Sequence, residues 1–311
     1  MTITATSVDR RRVEHGSDET AEPKRAEERR PEVLPRGDDH YLLSLEGYAR
    51  NVGQPASKDA RVNKEDLGAT RAFIGGATPG DVRQGDLGNC TVMSSLAALA
   101  RTPKGQRFLE SRVQEHLGRD GKVASYTVLV SQNVGGGRRA DIPVEVDAHA
   151  LPKGHWIGDA KAGAVEVWPI VFEAALAKAQ GGLDTMDKGS TVPKSFAYIT
   201  GHEAVDSSPR TKDFADRLRA DFAAGKALVL STNGTTEAPP GGWNGGNPKL
   251  YDAHAYAITD VRDVATRGAD GRYHVETFVT VRNPWGFDHP RPMTLAEVQR
   301  HFGAYSVGEV P

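Results

Sequence analysis

"DVRQGDLGNCTVMSSLAALA", residues 81–100, decides how this chain is read. A turn flanked by Gly85 and Gly88 runs into Val92, Met93, Leu96, Leu99 and Ala100 at helical spacing, and Cys90, the single cysteine of the chain, stands where the two meet. The pattern predicts a helix that opens at Cys90 and ends or restarts at Thr102 and Pro103. The first turn of a helix leaves backbone N–H groups unpaired, and these favour negative charge. That matters because the thiolate, not the thiol, is the nucleophile. A lone buried cysteine is otherwise inert packing, so chemistry at Cys90 needs partners.

Three candidates follow along the chain. Among ten histidines, His254 lies in "YDAHAYAITDV", whose alternation predicts a strand that would hold an imidazole base rigidly. Asn283 lies in "VTVRNPWG", at an expected strand end where Pro284 enforces an extended turn and Trp285 would shield the pair from water. Gln84, six residues before Cys90, has the reach to bring its amide beside the Cys90 N–H, which gives two donors where an oxyanion would develop. The inferred set is Gln84, Cys90, His254 and Asn283.

The remaining composition bounds the alternatives. With 39 basic and 41 acidic side chains in 311 residues the balance is near neutral, so nucleic acid is not an expected partner. No segment offers about 18 uninterrupted apolar residues, so no membrane association is expected. No apolar core follows the N-terminal charges as a signal peptide requires. One cysteine forms no internal disulfide, which suits a reducing compartment. The expectation is a cytoplasmic monomer, with export by a route lacking a classical signal as the alternative. Residues 1–40 hold 18 charged side chains and no aromatic, and are expected to form a disordered tail, followed by an extension over 41–69. "SYTVLVSQ" and "DIPVEVDA", joined by "NVGGGRRA", predict an antiparallel pair. "VEVWPIVFEAALAKAQGG" predicts a buried helix with Val167, Ile170, Phe172, Ala174 and Leu176 facing inward. A helix over about 211–225 precedes a strand-rich remainder, interrupted by a loop over 236–248.

In this order the motifs resemble the calpain-like cysteine proteases, within the papain-like fold. The resemblance runs over roughly residues 70–311, from "FIGGATPGDVRQGDLGNC" through "VEVDAHALP", "VWPIVFEAALAKA" and "HAYAITDV" to "VRNPWG" and "MTLAEVQRHF". It implies an α+β, two-lobed papain-like core, with the cysteine helix in a first lobe (70–200) and the histidine and asparagine in a β-rich second lobe (201–311). It further implies that Cys90 is the nucleophile, His254 the general base and acid, Asn283 the residue orienting the imidazole, and Gln84 part of the oxyanion hole. The expected activity is hydrolysis of a protein or peptide substrate through a thioester. Two positions depart from the family pattern: Thr91 stands where tryptophan is usual, and Ala253 where glycine is usual. Transfer of the acyl group to an amine, or a catalytically dead calcium-responsive binding module, are the alternatives.

The same resemblance raises calcium, since calpain cores assemble when Ca²⁺ binds loops in each lobe. The positions matching the first-lobe site are the carbonyls of Ile74 and Gly76 and the carboxylates of Asp81 and Glu166, hard oxygen ligands of the kind Ca²⁺ takes. The plainer alternative has Asp81 capping a turn and Glu166 solvated. After Trp285 only Asp288 offers a carboxylate before the final helix, so one calcium site is expected rather than two. No twelve-residue loop of EF-hand pattern is found.

Overall fold

The computed structural model describes residues 71–85, 87–151, 166–232, 250–267 and 270–311. The expected tail, the 41–69 extension and the 236–248 loop lie outside these residues. Helix α1, Cys90–Ala100, opens at the cysteine, and every residue from Val92 to Ala100 is buried. The Thr102 hydroxyl accepts from the Gly105 N–H at 3.1 Å and, with Pro103 in the first turn, restarts the chain as α2, Pro103–Ser111. Strands β1 (Val113–Leu117), β2 (Val123–Gly135) and β3 (Arg138–Asp147) form an antiparallel sheet in that order. The expected hairpin is β2 and β3, turning at Gly136 and Gly137, both at positive φ. Strand β1 has no strand-like alternation to announce it, because "VQEHL" pairs at the sheet edge and buries none of its residues fully.

Helices α3 (Trp168–Ala179), α4 (Leu183–Asp187) and α5 (Val192–Thr200) follow. Helix α3 is buried nearly all round, so its inward positions exceed a single stripe, and Ala174, expected inside, is the partly exposed one. The remaining elements are β4 (Val205–Ser207), α6 (Phe214–Ala223), β5 (Ala227–Ser231), β6 (Ala255–Arg267), β7 (Tyr273–Arg282), β8 (Met293–Thr294), α7 (Leu295–His301) and β9 (Ala304–Gly308). Their strands make a six-stranded antiparallel sheet ordered β4-β9-β5-β6-β7-β8.

Strand β5 and the start of β6 are buried on both faces of that sheet, and the period of two sorts their side chains by size. Ala227, Val229, Ala255 and Ala257 join the hydrophobic cluster that contains α1, whereas Leu228, Leu230, Tyr256 and Ile258 join a second cluster with Phe214 and Leu218 of α6 and Val298 of α7. The small face lets α1 approach β5 and β6 closely through Ser94, Ala97 and Ala98, and Ser94 Oγ donates to the Ala255 carbonyl at 2.8 Å. The other end of β7 is tied to the segment leading into α1. Arg282 Nη2 donates to the carbonyls of Gly80 and Val82 at 3.0 and 3.2 Å, and Gln84 N–H donates to Pro284 O at 2.7 Å. Among the described residues no helix is long and apolar enough to cross a membrane.

A close-packed small face has no room for added methylenes. Ala257→Leu should therefore cost about 1–3 kcal/mol by overpacking and lower the melting temperature by several degrees. Val275→Ala, at a strand position 72% exposed, should leave it within error. Paired thermal melts check this, and an unchanged Ala257→Leu midpoint would contradict the packing.

Candidate active site

His254 sits one residue ahead of β6 rather than within it. The reason is Ala253, whose φ of +49° turns the chain in the left-handed region just before the strand begins. That conformation costs a residue with a Cβ about 1–2 kcal/mol, so the surroundings must hold it. They do so through Thr232 at the end of β5. Its hydroxyl accepts from the His254 N–H at 3.0 Å and donates to Tyr251 O at 2.7 Å, while its own N–H donates to His254 O at 2.9 Å.

The imidazole is buried among Tyr256 and Trp285, with ring centroids 4.9 and 4.8 Å away. Its Nε2 lies 3.0 Å from Asn283 Oδ1. The same oxygen accepts from the Trp285 N–H at 3.1 Å, which marks it as the carbonyl oxygen of the amide. Nε2 therefore carries the proton and Nδ1 keeps its lone pair. Burial lowers the His254 pKa, and the bond to Asn283 opposes this. Asn283, fully buried, is fixed in turn: its Nδ2 donates to Asp288 O at 3.4 Å and its N–H to His289 Nδ1 at 3.2 Å. Burial, with Arg282 and Arg83 nearby, pushes His289 down to about 3, which keeps the ring neutral and able to accept that bond.

Cys90 is half-buried at the first position of α1. Burial pushes its thiol up, and the backbone N–H groups of Ala255, Thr91 and Cys90 itself pull the other way. Ser94, one helical turn after Cys90, bonds the carbonyl of Ala255, the residue after His254, so the start of the cysteine helix packs where β6 begins. An imidazole with a free Nδ1 beside a thiol at a helix start can take its proton and return it to a leaving group. The residue after the cysteine, Thr91, accepts at its hydroxyl from Ser195 Oγ at 3.1 Å, which turns this side chain toward α5.

Gln84 is buried beside this turn, and its Nε2 donates one hydrogen to Leu87 O at 2.6 Å. The amide carries a second hydrogen for an oxyanion. The turn itself is gripped from α3 and α4. Gly88 N–H donates to Asp187 Oδ1 at 2.7 Å, and a Cβ at Gly88 would meet Asp187 O at 2.4 Å, so only glycine fits. Asn89 Nδ2 donates to Glu173 Oε1. Neither Glu173 nor Ser94 was singled out from sequence, although signals existed. Ser94 stands one helical turn from Cys90, and Glu173 is the lone carboxylate of an apolar helix.

Of the calcium candidates, Ile74 and Glu166 meet directly. Glu166 Oε1 accepts from the Ile74 N–H at 2.9 Å, and Glu166 is buried, not solvated. Asp81 Oδ2 accepts from the Thr78 N–H at 2.6 Å, capping a turn, and from Trp168 Nε1 at 3.1 Å. Gly76 stands at φ +94°, where a Cβ would lie 3.0 Å from Glu110 Oε1. Two further carboxylates that sequence reasoning missed hold this segment: Glu115 accepts from Ala72 N at 2.6 Å and Glu110 from Ala77 N at 3.4 Å. Among the described residues no three His, Cys, Asp or Glu side chains converge on one point. A cation here would depend on two carboxylates and on carbonyls, a donor set that suits a hard ion. Asp288, the carboxylate after Trp285, accepts from Tyr251 Oη at 2.7 Å.

Comparison with known proteins agrees with this architecture. The family model described as calpain family cysteine protease matches residues 58–290. The chain is similar to the calpain-2 catalytic subunit of Gallus gallus, 26% identical over 230 residues covering 70% of this chain and 29% of that protein. It is likewise 26% identical to calpain-8 of Homo sapiens over 224 residues, 69% of this chain and 29% of that protein. With the calpain-1 catalytic subunit of Homo sapiens it shares 26% identity over 254 residues, 77% of this chain and 32% of that protein. The chain thus spans about a third of the length of these relatives. A family match over most of its length shows that the chain belongs to the calpain family of cysteine proteases.

Proposed function

We propose that the chain is a cysteine endopeptidase with a two-lobed papain-like core, in which Cys90, His254 and Asn283 form the catalytic triad. The observation that carries this reading is the pairing of His254 Nε2 with Asn283 Oδ1 at 3.0 Å, immediately ahead of Ala255, whose carbonyl is bonded by Ser94 of the cysteine helix. With its proton held on Nε2, His254 offers Nδ1 to the thiol. The thiolate attacks the scissile carbonyl, and the oxyanion is held by the Cys90 N–H and the second hydrogen of the Gln84 amide. His254 then protonates the leaving amine, and water resolves the thioester. The substrate is an extended polypeptide. Burial raises the pKa of the resting thiol, and transfer of its proton to His254 Nδ1 gives the thiolate that attacks.

Calcium belongs to the same proposal at one site. Asp81 and Glu166, with the carbonyl oxygens of Ile74 and Gly76, would hold it, and its chemistry there would be a hard cation's attraction for those oxygens. The segment from Ile74 to Asp81 leads through the Gly80 and Val82 carbonyls, both bonded to Arg282, into Gln84 and Cys90. Ordering it therefore orders the oxyanion donors.

Cys90→Ala and His254→Ala should each abolish cleavage of casein, and Asn283→Ala should retain a trace because orientation rather than bond making is lost. Full turnover by Cys90→Ala would sink the reading. For calcium, calorimetric titration of Cys90→Ala should give a stoichiometry near one, and Glu166→Ala should weaken both binding and calcium-stimulated cleavage. Absence of heat at millimolar Ca²⁺, with unimpaired cleavage in chelator, would remove calcium and leave the protease.

A further inference from the structure

Helix α3 carries one carboxylate, Glu173, with no solvent exposure among Phe172, Ala175 and Leu176. A carboxyl in such a place is costly to bury and is kept only where it satisfies a buried partner. The partner of Glu173 explains its position. Oε1 accepts from Nδ2 of Asn89, the residue that precedes Cys90 at the start of α1. Asparagine at that place ordinarily turns its side-chain oxygen onto the N–H groups of the first helical turn. Here the Asn89 side chain makes no such bond, and among the described residues its Oδ1 accepts none. The Asn89 side chain thus leaves the first turn of α1 uncapped, and the backbone N–H groups of Thr91 and Cys90 pull the thiol pKa down against burial.

We infer that Glu173 is a positioning residue that holds the Asn89 side chain away from the N-terminus of α1, keeping the Cys90 and Thr91 N–H groups for the reacting sulfur and oxyanion. The inference rests on the reading of Cys90 as nucleophile. Burial pushes the Glu173 carboxyl up to about 7, and either form can do this work, since the carboxylate and the carbonyl oxygen of the acid both accept the Asn89 bond. Met186 Sδ, 3.5 Å from the same Nδ2, closes the other side of the amide. Once released, and with its ψ turned from 28° toward the extended values of a capped helix start, Asn89 would cap α1 through Oδ1 and compete with the thiolate for its donors.

The role reaches beyond stability. Glu173→Leu strands the buried Asn89 amide and should lower the melting temperature by a few degrees, and it should also slow alkylation of Cys90 by iodoacetamide, and kcat on a peptide, by about tenfold, with KM within about twofold. Glu173→Gln, whose amide oxygen accepts the same bond, should keep near wild-type rates. The decisive variant is Asn89→Ala combined with Glu173→Leu, which lacks the competing cap and should recover the alkylation rate lost in Glu173→Leu. Cys90 is the only cysteine, so alkylation read by intact mass needs no peptidase activity. If Glu173→Leu alkylates at the wild-type rate, or if the double variant shows no recovery, the inference is overturned. If the alkylation pattern holds while the wild type cleaves no peptide, the inference stands and the endopeptidase reading falls.

Discussion

Helix α1 lies against the small-residue face of β5 and β6, and this one contact fixes the rest of the site. Alternation along the two strands gives alanine and valine to one face and leucine, isoleucine and tyrosine to the other, so the helix approaches where the side chains are short. Ser94 then bonds the Ala255 carbonyl one helical turn after Cys90, which ties the cysteine helix to the first residue of β6. Because His254 immediately precedes it, the register of helix on sheet sets the meeting of thiol and imidazole.

Around that contact the site balances opposing electrostatic demands. Burial disfavours the charged form of both Cys90 and His254, and backbone N–H groups at the sulfur and the Asn283 carbonyl at Nε2 oppose it. Every polar group that does this is itself anchored: Asn283 by Trp285, Asp288 and His289, Gln84 by Leu87 and Pro284, and the turn before Cys90 by Asp187 and Glu173. Gly286, at φ +81°, completes this frame, since a Cβ there would meet Arg83 Cγ at 2.8 Å. Such anchoring removes reorganisation at the moment charge develops.

Much of this was legible in the sequence because it depends on local order. The helix start at Cys90, the restart at Pro103, the β2–β3 hairpin and the strand ending before Asn283 all follow from periodicity and punctuation. His254 was placed one residue too far into its strand, because alternation continues through "HAYAI" and nothing in the letters reveals that Ala253 adopts a left-handed turn. The Glu115, Glu110 and Glu173 contacts are made 43, 33 and 84 residues away along the chain, and no pattern of neighbours encodes such pairs. Glu166 shows the same limit. The letters place Glu166 among the calcium candidates by resemblance and leave a solvated charge as the alternative, and only the folded chain shows it buried against the Ile74 N–H.

The central claim is that Cys90 attacks a peptide carbonyl under control of His254. Acid-quenched intact mass, taken during turnover of a peptide ester, tests it most directly. The account predicts a covalent acyl adduct that maps to Cys90 and disappears in His254→Ala. Turnover with no adduct at Cys90, or an adduct at any other residue, would contradict it.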